Sequence, residues 1–136
     1  MKTNCIVGTY KGRVQFSMGY RDSGKFYDLD GNETTLSNVS KCVDFELVIQ
    51  KQDCNLIWGV YKFYNPIEKK QEVDNFSGSR LLNNNWRIRD GDEVGSLNFE
   101  NKCNLTFALE AGNQVEYDKK PGFFELINGQ LKKKNY

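Results

Sequence analysis

Val43-Asp44-Phe45-Glu46-Leu47-Val48-Ile49-Gln50, continued across Lys51-Gln52-Asp53 into Leu56-Ile57-Trp58-Gly59-Val60-Tyr61-Lys62-Phe63-Tyr64, is the stretch that decides the fold. Its first half alternates, with Phe45, Leu47 and Ile49 on one face, which is the period of a half-buried strand. Its second half is rich in aromatic and β-branched residues and stops at Asn65-Pro66, so the two halves make a hairpin. A second hairpin has the same design. Asn101-Lys102-Cys103-Asn104-Leu105-Thr106-Phe107 repeats the Cys-Asn-Leu step of Asp53-Cys54-Asn55-Leu56, each placed directly after a polar turn.

The remaining segments fit the same reading. Ile6 to Met18 is a long first strand whose glycines let it bend. A weaker segment over 25–29 ends in the turn signal Asp30-Gly31-Asn32, and the Ser/Thr/Asn-rich stretch 30–41 reads as a loop, the least ordered part of the chain. Further strands follow at 73–82, 85–89, 95–99, 105–109, 114–117 and 123–127, with Asp90-Gly91-Asp92-Glu93 as a turn. No segment sustains a helical period over three turns. Eight to ten short strands joined by tight turns predict an all-β, up-and-down antiparallel barrel of about eight strands, which removes exposed sheet edges; a β-sandwich is the alternative.

At 136 residues the chain is one domain, 1–136, ending in a short basic tail, Lys132-Lys133-Lys134. A net charge of +1 with interspersed signs gives nothing that steers toward a nucleic-acid backbone. No stretch approaches the ~20 apolar residues of a spanning helix. The N-terminus lacks the apolar core of a signal peptide, whereas four cysteines and four sequons, at Asn32, Asn38, Asn75 and Asn104, favour a secreted glycoprotein over a cytoplasmic protein. If strand starts alternate between barrel ends, Cys5 falls with Cys42 and Cys54 with Cys103; those are the expected disulfides, against the alternative of four free thiols.

The chain contains no histidine. That removes Ser-His-Asp and Cys-His catalysis, and with no Cys-x-x-Cys pair it leaves no zinc site, so no metal or cofactor is implied. Acid–base work by carboxylate or tyrosine remains. Asp44 and Glu46 share a face and Glu116 sits in a late strand, but charges on a solvated barrel exterior are the favoured explanation of that pattern, and an enzyme would need an acid with a raised pKa inside a pocket. The expectation is therefore no enzyme. Aromatic residues occur in nearly every strand, and a barrel of this size either fills its interior with them or leaves a cavity they line. Trp58, Tyr61, Trp86 and Arg87 combine flat apolar surface with donor groups and are the candidate ligand-binding set. Trp58 and Tyr61 are an odd number of residues apart, so an undistorted strand puts them on opposite faces.

Several short patterns resemble the calycin group of avidin-like and lipocalin-like barrels. Gly8-Thr9-Tyr10 looks like the Gly-x-Trp opening of lipocalins and the Gly-Thr-Trp opening of avidins, with Tyr10 in place of Trp. Phe45 to Ile49 followed by Leu56 to Tyr61 resembles the avidin hairpin ending in Gly-x-Tyr, and Phe76-Ser77-Gly78-Ser79, Trp86-Arg87-Ile88 and Gly95-Ser96-Leu97 continue the order. The full polar set that grips biotin in avidins is missing, as is a basic residue after the last strand to cover the opening aromatic. The resemblance implies a barrel that binds a small apolar or amphipathic ligand, and association through outer faces into a homo-oligomer. The alternative is a secreted interaction or inhibitor module with a packed interior, contacting its partner through loops 30–41 and 65–72.

Overall fold

The computed structural model describes residues 5–91, 93–111 and 122–134. Its elements are β1 (Gly8–Asp22), β2 (Lys25–Tyr27), β3 (Glu33–Thr34), α1 (Leu36–Val39), β4 (Ser40–Asp53), β5 (Leu56–Asn65), β6 (Lys70–Arg80), β7 (Asn85–Asp90), β8 (Glu93–Asn101), β9 (Asn104–Ala111) and β10 (Phe123–Lys133). From β4 onward every strand pairs antiparallel with the next, β1 pairs with β4, and β10 returns to pair with β1. The result is a closed, eight-stranded antiparallel barrel, with β2 and β3 as a small flap on β1.

Closure turns the alternation of the sequence into an inside and an outside. Tyr10, Val14, Phe16 and Met18 of β1 are buried while Lys11, Arg13 and Gln15 are exposed, and Phe45, Leu47 and Ile49 are the buried set of β4. The centre is a pile of rings. Phe45 lies 4.7 Å from Phe107 and stacks on Tyr61 at 5.5 Å and on Phe63 at 5.7 Å. Rings this close touch one another, so this part of the barrel is filled by side chains, the first of the two expected uses of its aromatics. At the end where β1 begins, Tyr10 packs edge-on against Phe99, and its hydroxyl donates to the Ile6 carbonyl at 2.8 Å, drawing the N-terminal segment over the barrel. Burial, with the Cys103 and Cys5 thiols adding to it, pushes the Tyr10 phenol up to about 12.

The matched hairpins share a matched distortion. Each carries a register shift just before its turn, between Ile49 and Lys51 in one and between Phe99 and Asn101 in the other. In the second, Asn101 Oδ1 accepts from the Cys103 and Asn104 amides at 2.8 and 3.1 Å; in the first, Cys54 takes a positive φ of 54°.

Four expectations need correction. The stretch 30–41 contains β3 and α1, and Val39 is fully buried, because the flap needs an apolar anchor. The 65–72 loop is a four-residue turn: Asn65 Oδ1 accepts from the Ile67 and Glu68 amides, both at 3.0 Å, and β6 starts at Lys70. Lys132 and Lys133 are no tail, since both belong to β10, with Lys133 paired opposite Tyr10. The Cys5–Cys42 pairing fails on topology. Because β2 and β3 lie outside the barrel, β4 is the second barrel strand rather than the third, and Cys42 stands opposite Gln15, about 23 Å along β1 from Gly8, beyond the ~7 Å a bridge can span. Cys54 and Cys103 do share one end, and all four cysteines are free thiols in the structure. The strand expected at 114–117, with Glu116, lies outside the described residues.

Two substitutions check the packing. Phe45→Ala removes the ring on which three others rest and should cost about 3–5 kcal/mol in urea denaturation. At Gly59 a Cβ would run into the Val48 carbonyl and come 2.7 Å from the Phe76 ring, so Gly59→Ala should cost about 1–3 kcal/mol in the same experiment. A loss below 1 kcal/mol for Phe45→Ala would contradict the ring pile.

Candidate functional site

Toward the opposite end of the barrel the inward positions change character. On β6 the buried Phe76 sets the parity, so Asp74 and Glu72 follow it inward; on β7 Trp86 and Ile88 lead to Asp90; on β8 Leu97 and Phe99 lead back to Glu93. Three neighbouring strands thus deliver carboxylates into the interior, and the fourth, β5, delivers Tyr61 beside them.

The Tyr61 hydroxyl lies 2.5 Å from Asp90 Oδ2 and 2.9 Å from Glu93 Oε2. A phenol carries one proton and cannot satisfy two ionised acceptors. Asp90 and Glu93 therefore compete for it, and the competition is relieved when a carboxyl takes up a proton of its own. Glu93 is the carboxyl best suited to bring its own proton: burial pushes it up to about 7, helped by the nearby Asp90, Asp74 and Glu72 charges and opposed by the Tyr61 hydrogen bond. Asp74 is pushed up to about 6 by burial and by Asp90 and Glu72, with Tyr61 and Lys70 working the other way. Tyr61 itself is raised far above the ordinary phenol by burial and by Glu93, Asp90 and Asp74, so it stays protonated and acts as a donor. Lys70 also bridges Glu68 at 3.8 Å and Glu72 at 3.4 Å at the rim.

This arrangement can do two things chemically. It presents hydrogen-bond acceptors in a partly desolvated setting against a wall of rings, which orients a ligand bearing donors. It also holds a carboxyl that exchanges its proton near neutrality beside a phenol that keeps its own.

The structure divides the four candidate ligand-binding residues. Tyr61 and Trp86 are interior, but only Tyr61 belongs to the polar cluster; Trp86 lines a cleft of about 220 Å³ at the Tyr10 end. Trp58 and Arg87 point outward and line a separate groove with Ser77, Ser79 and Arg89. The four do not form one site. Asp44 and Glu46 are also exterior, with Arg13 4.0 Å from Asp44, and Lys11 and Lys62 at 3.1 and 3.3 Å from Glu46. They line an outer groove of about 990 Å³ over β1, β4 and β5. Among the sequon residues, Asn32, Asn38 and Asn75 are exposed, and the Asn104 amide donates to Asn101 Oδ1 at 3.1 Å. No group of metal-ligating side chains occurs among the described residues, and no helix there is long and apolar enough to cross a membrane.

No protein-family model matches the chain, and no curated relative matches its sequence. Its likeness is to a solved structure, described as EF1p2_mFAP2b bound to DFHBI. The two align with a TM-score of 0.59 over 95% of this chain and 94% of the other, at 8% identity. This likeness is one of fold.

The raised carboxyls fix the sign of a pH effect. Asp74 and Glu93 bind protons more tightly in the folded barrel than in the unfolded chain, so their contribution to stability is full below about pH 4 and is lost as pH rises through about 6 and 7. Discounted for solvent screening, the loss should be about 2 kcal/mol by pH 8. Urea denaturation between pH 4 and 8 should show it, and Glu93→Gln should flatten the slope and stabilise the barrel at pH 8. A stability that rises over this range would overturn the assignment.

Proposed function

We propose that the protein is a non-enzymatic, calycin-type barrel that binds a small amphipathic ligand at the end where Tyr61, Asp74, Asp90 and Glu93 meet. The observation that carries this reading is the Tyr61 hydroxyl held between two interior carboxylates, directly above the Phe45, Phe63 and Phe107 rings. Interior acids cost stability unless something satisfies them, and a fold seeking stability alone would place apolar residues there. A ligand with a flat apolar body and a donating end, such as an arylalkylamine, meets both surfaces: its ring lies against the aromatic wall and its donors satisfy Asp90 and Glu93. The similar fold seen with DFHBI bound supports a barrel of this build as a ligand carrier. Secretion accords with the exposed sequons.

A second reading draws on the ring pile, which fills the middle of the barrel with the protein's own side chains: an interaction module whose outer surface does the work.

Titration of the full chain with 2-phenylethylamine at pH 7, followed by amide and side-chain NMR shifts, separates the two. Shifts centred on Tyr61, Asp90 and Glu93, weakened about tenfold by Glu93→Gln and by Tyr61→Phe, are the expected result. Shifts confined to the outer wall, or none at the cluster, would overturn the proposal in favour of the module. Conversion of an added ligand into a new compound would overturn the non-enzymatic part.

A further inference from the structure

The two predicted ligand residues that the barrel turned outward are neighbours. Antiparallel register places Lys51, Trp58, Ser77 and Arg89 in one row across β4, β5, β6 and β7, and Asp53, Leu56, Ser79 and Arg87 in the row beside it. All point away from the core. Trp58 is 40% exposed, and the Lys51 ammonium sits 5.7 Å from its ring centroid. With Leu56, Ser77, Ser79, Arg87 and Arg89, Trp58 lines a shallow groove of about 340 Å³.

This face gathers cations without carboxylate partners. Lys11, Arg13, Lys25, Lys62 and Lys70 each have a carboxylate within 4.0 Å. Among the described residues Lys51, Arg87 and Arg89 have none, and these three cations outnumber Asp53, the acid of the two rows, around an exposed indole with serine hydroxyls between. Arg87 and Arg89 lie two residues apart on one strand, about 7 Å, and Arg89 is two strands from Trp58, about 10 Å.

We propose that this face binds an anionic saccharide chain. The C–H face of a sugar ring lies on Trp58, its sulfate or carboxylate groups pair with Arg87, Arg89 and Lys51, and its hydroxyls exchange hydrogen bonds with Ser77 and Ser79. The groove is too shallow to enclose a small molecule but is open along both rows, which suits an extended chain. A single-stranded nucleic acid would use one aromatic platform for each of several successive bases, whereas these rows offer one ring among serines.

The test is calorimetry and tryptophan fluorescence on the full chain at about 0.1 M salt, with a sulfated heparin hexasaccharide, neutral maltohexaose and a six-residue oligothymidylate as probes. The sulfated chain should bind and change the Trp58 emission, and maltohexaose should bind far more weakly. The double variant Arg87→Ala, Arg89→Ala and the single variant Trp58→Ala should each weaken binding about tenfold or more, and Arg13→Ala, on another part of the wall, should leave it within about twofold. All four substitutions are at exposed positions, and circular dichroism confirms that each variant is folded. The proposal is overturned if the sulfated chain does not bind, if Arg13→Ala weakens it as much as the double variant does, or if the oligothymidylate binds more tightly than the saccharide.

Discussion

The pairing of β10 with β1 is the constraint on which the rest depends. Nine registered residue pairs, from Tyr10 with Lys133 to Tyr20 with Phe123, tie the last strand to the first and leave the barrel without a free edge. Once the sheet is closed, each strand's two-residue period is forced into an interior of fixed size. Side chains that would be merely half-buried on an open sheet become a core from which water is excluded, and any polar group that shares their parity is carried inside with them.

That coupling explains why the polar cluster exists where it does. Phe76, Ile88 and Leu97 must face inward for the barrel to have a core, and Asp74, Asp90 and Glu93 follow from the same strands at even spacing. Tyr61 joins them because Gly59 and Phe63 flank it in register on β5. The ring pile below and the carboxyls above belong to one continuous interior, and the Tyr61 side chain spans the boundary with an apolar ring in one and a hydroxyl in the other.

Much of the fold could be read from the residues. The alternation of Phe45, Leu47 and Ile49, the repeated Cys-Asn-Leu hairpins and the even spacing of turns lead directly to an antiparallel barrel. The segment at 25–29 was legible as β2, but β3 and α1 were not, since a two-residue strand and a single helical turn have too few positions to show a period. The cysteine arithmetic failed because it counted 25–29 as a barrel strand, which puts the start of β4, and Cys42 with it, at the wrong end. The site was only half visible. Aromatic residues with donor groups drew attention to Trp58, Tyr61, Trp86 and Arg87, yet composition does not distinguish faces. The signal that does was present: extending the period from Trp86 and Ile88 reaches Asp90, and from Leu97 and Gly95 reaches Glu93. Reading Asp90-Gly91-Asp92-Glu93 only as a turn hid it, because residues that shape a turn also end the strands on either side.

The central claim is that closure buries a carboxyl layer around Tyr61, and the most direct measurement is a carbon-13 carboxyl NMR titration of the folded chain. Glu93 should titrate near pH 7 and Asp74 near 6. In Tyr61→Phe the Glu93 midpoint should move higher still, because the hydroxyl that favours its ionised form is gone. Midpoints near 4 for both carboxyls, unchanged in Tyr61→Phe, would show that this end of the barrel is open to water and would contradict the account.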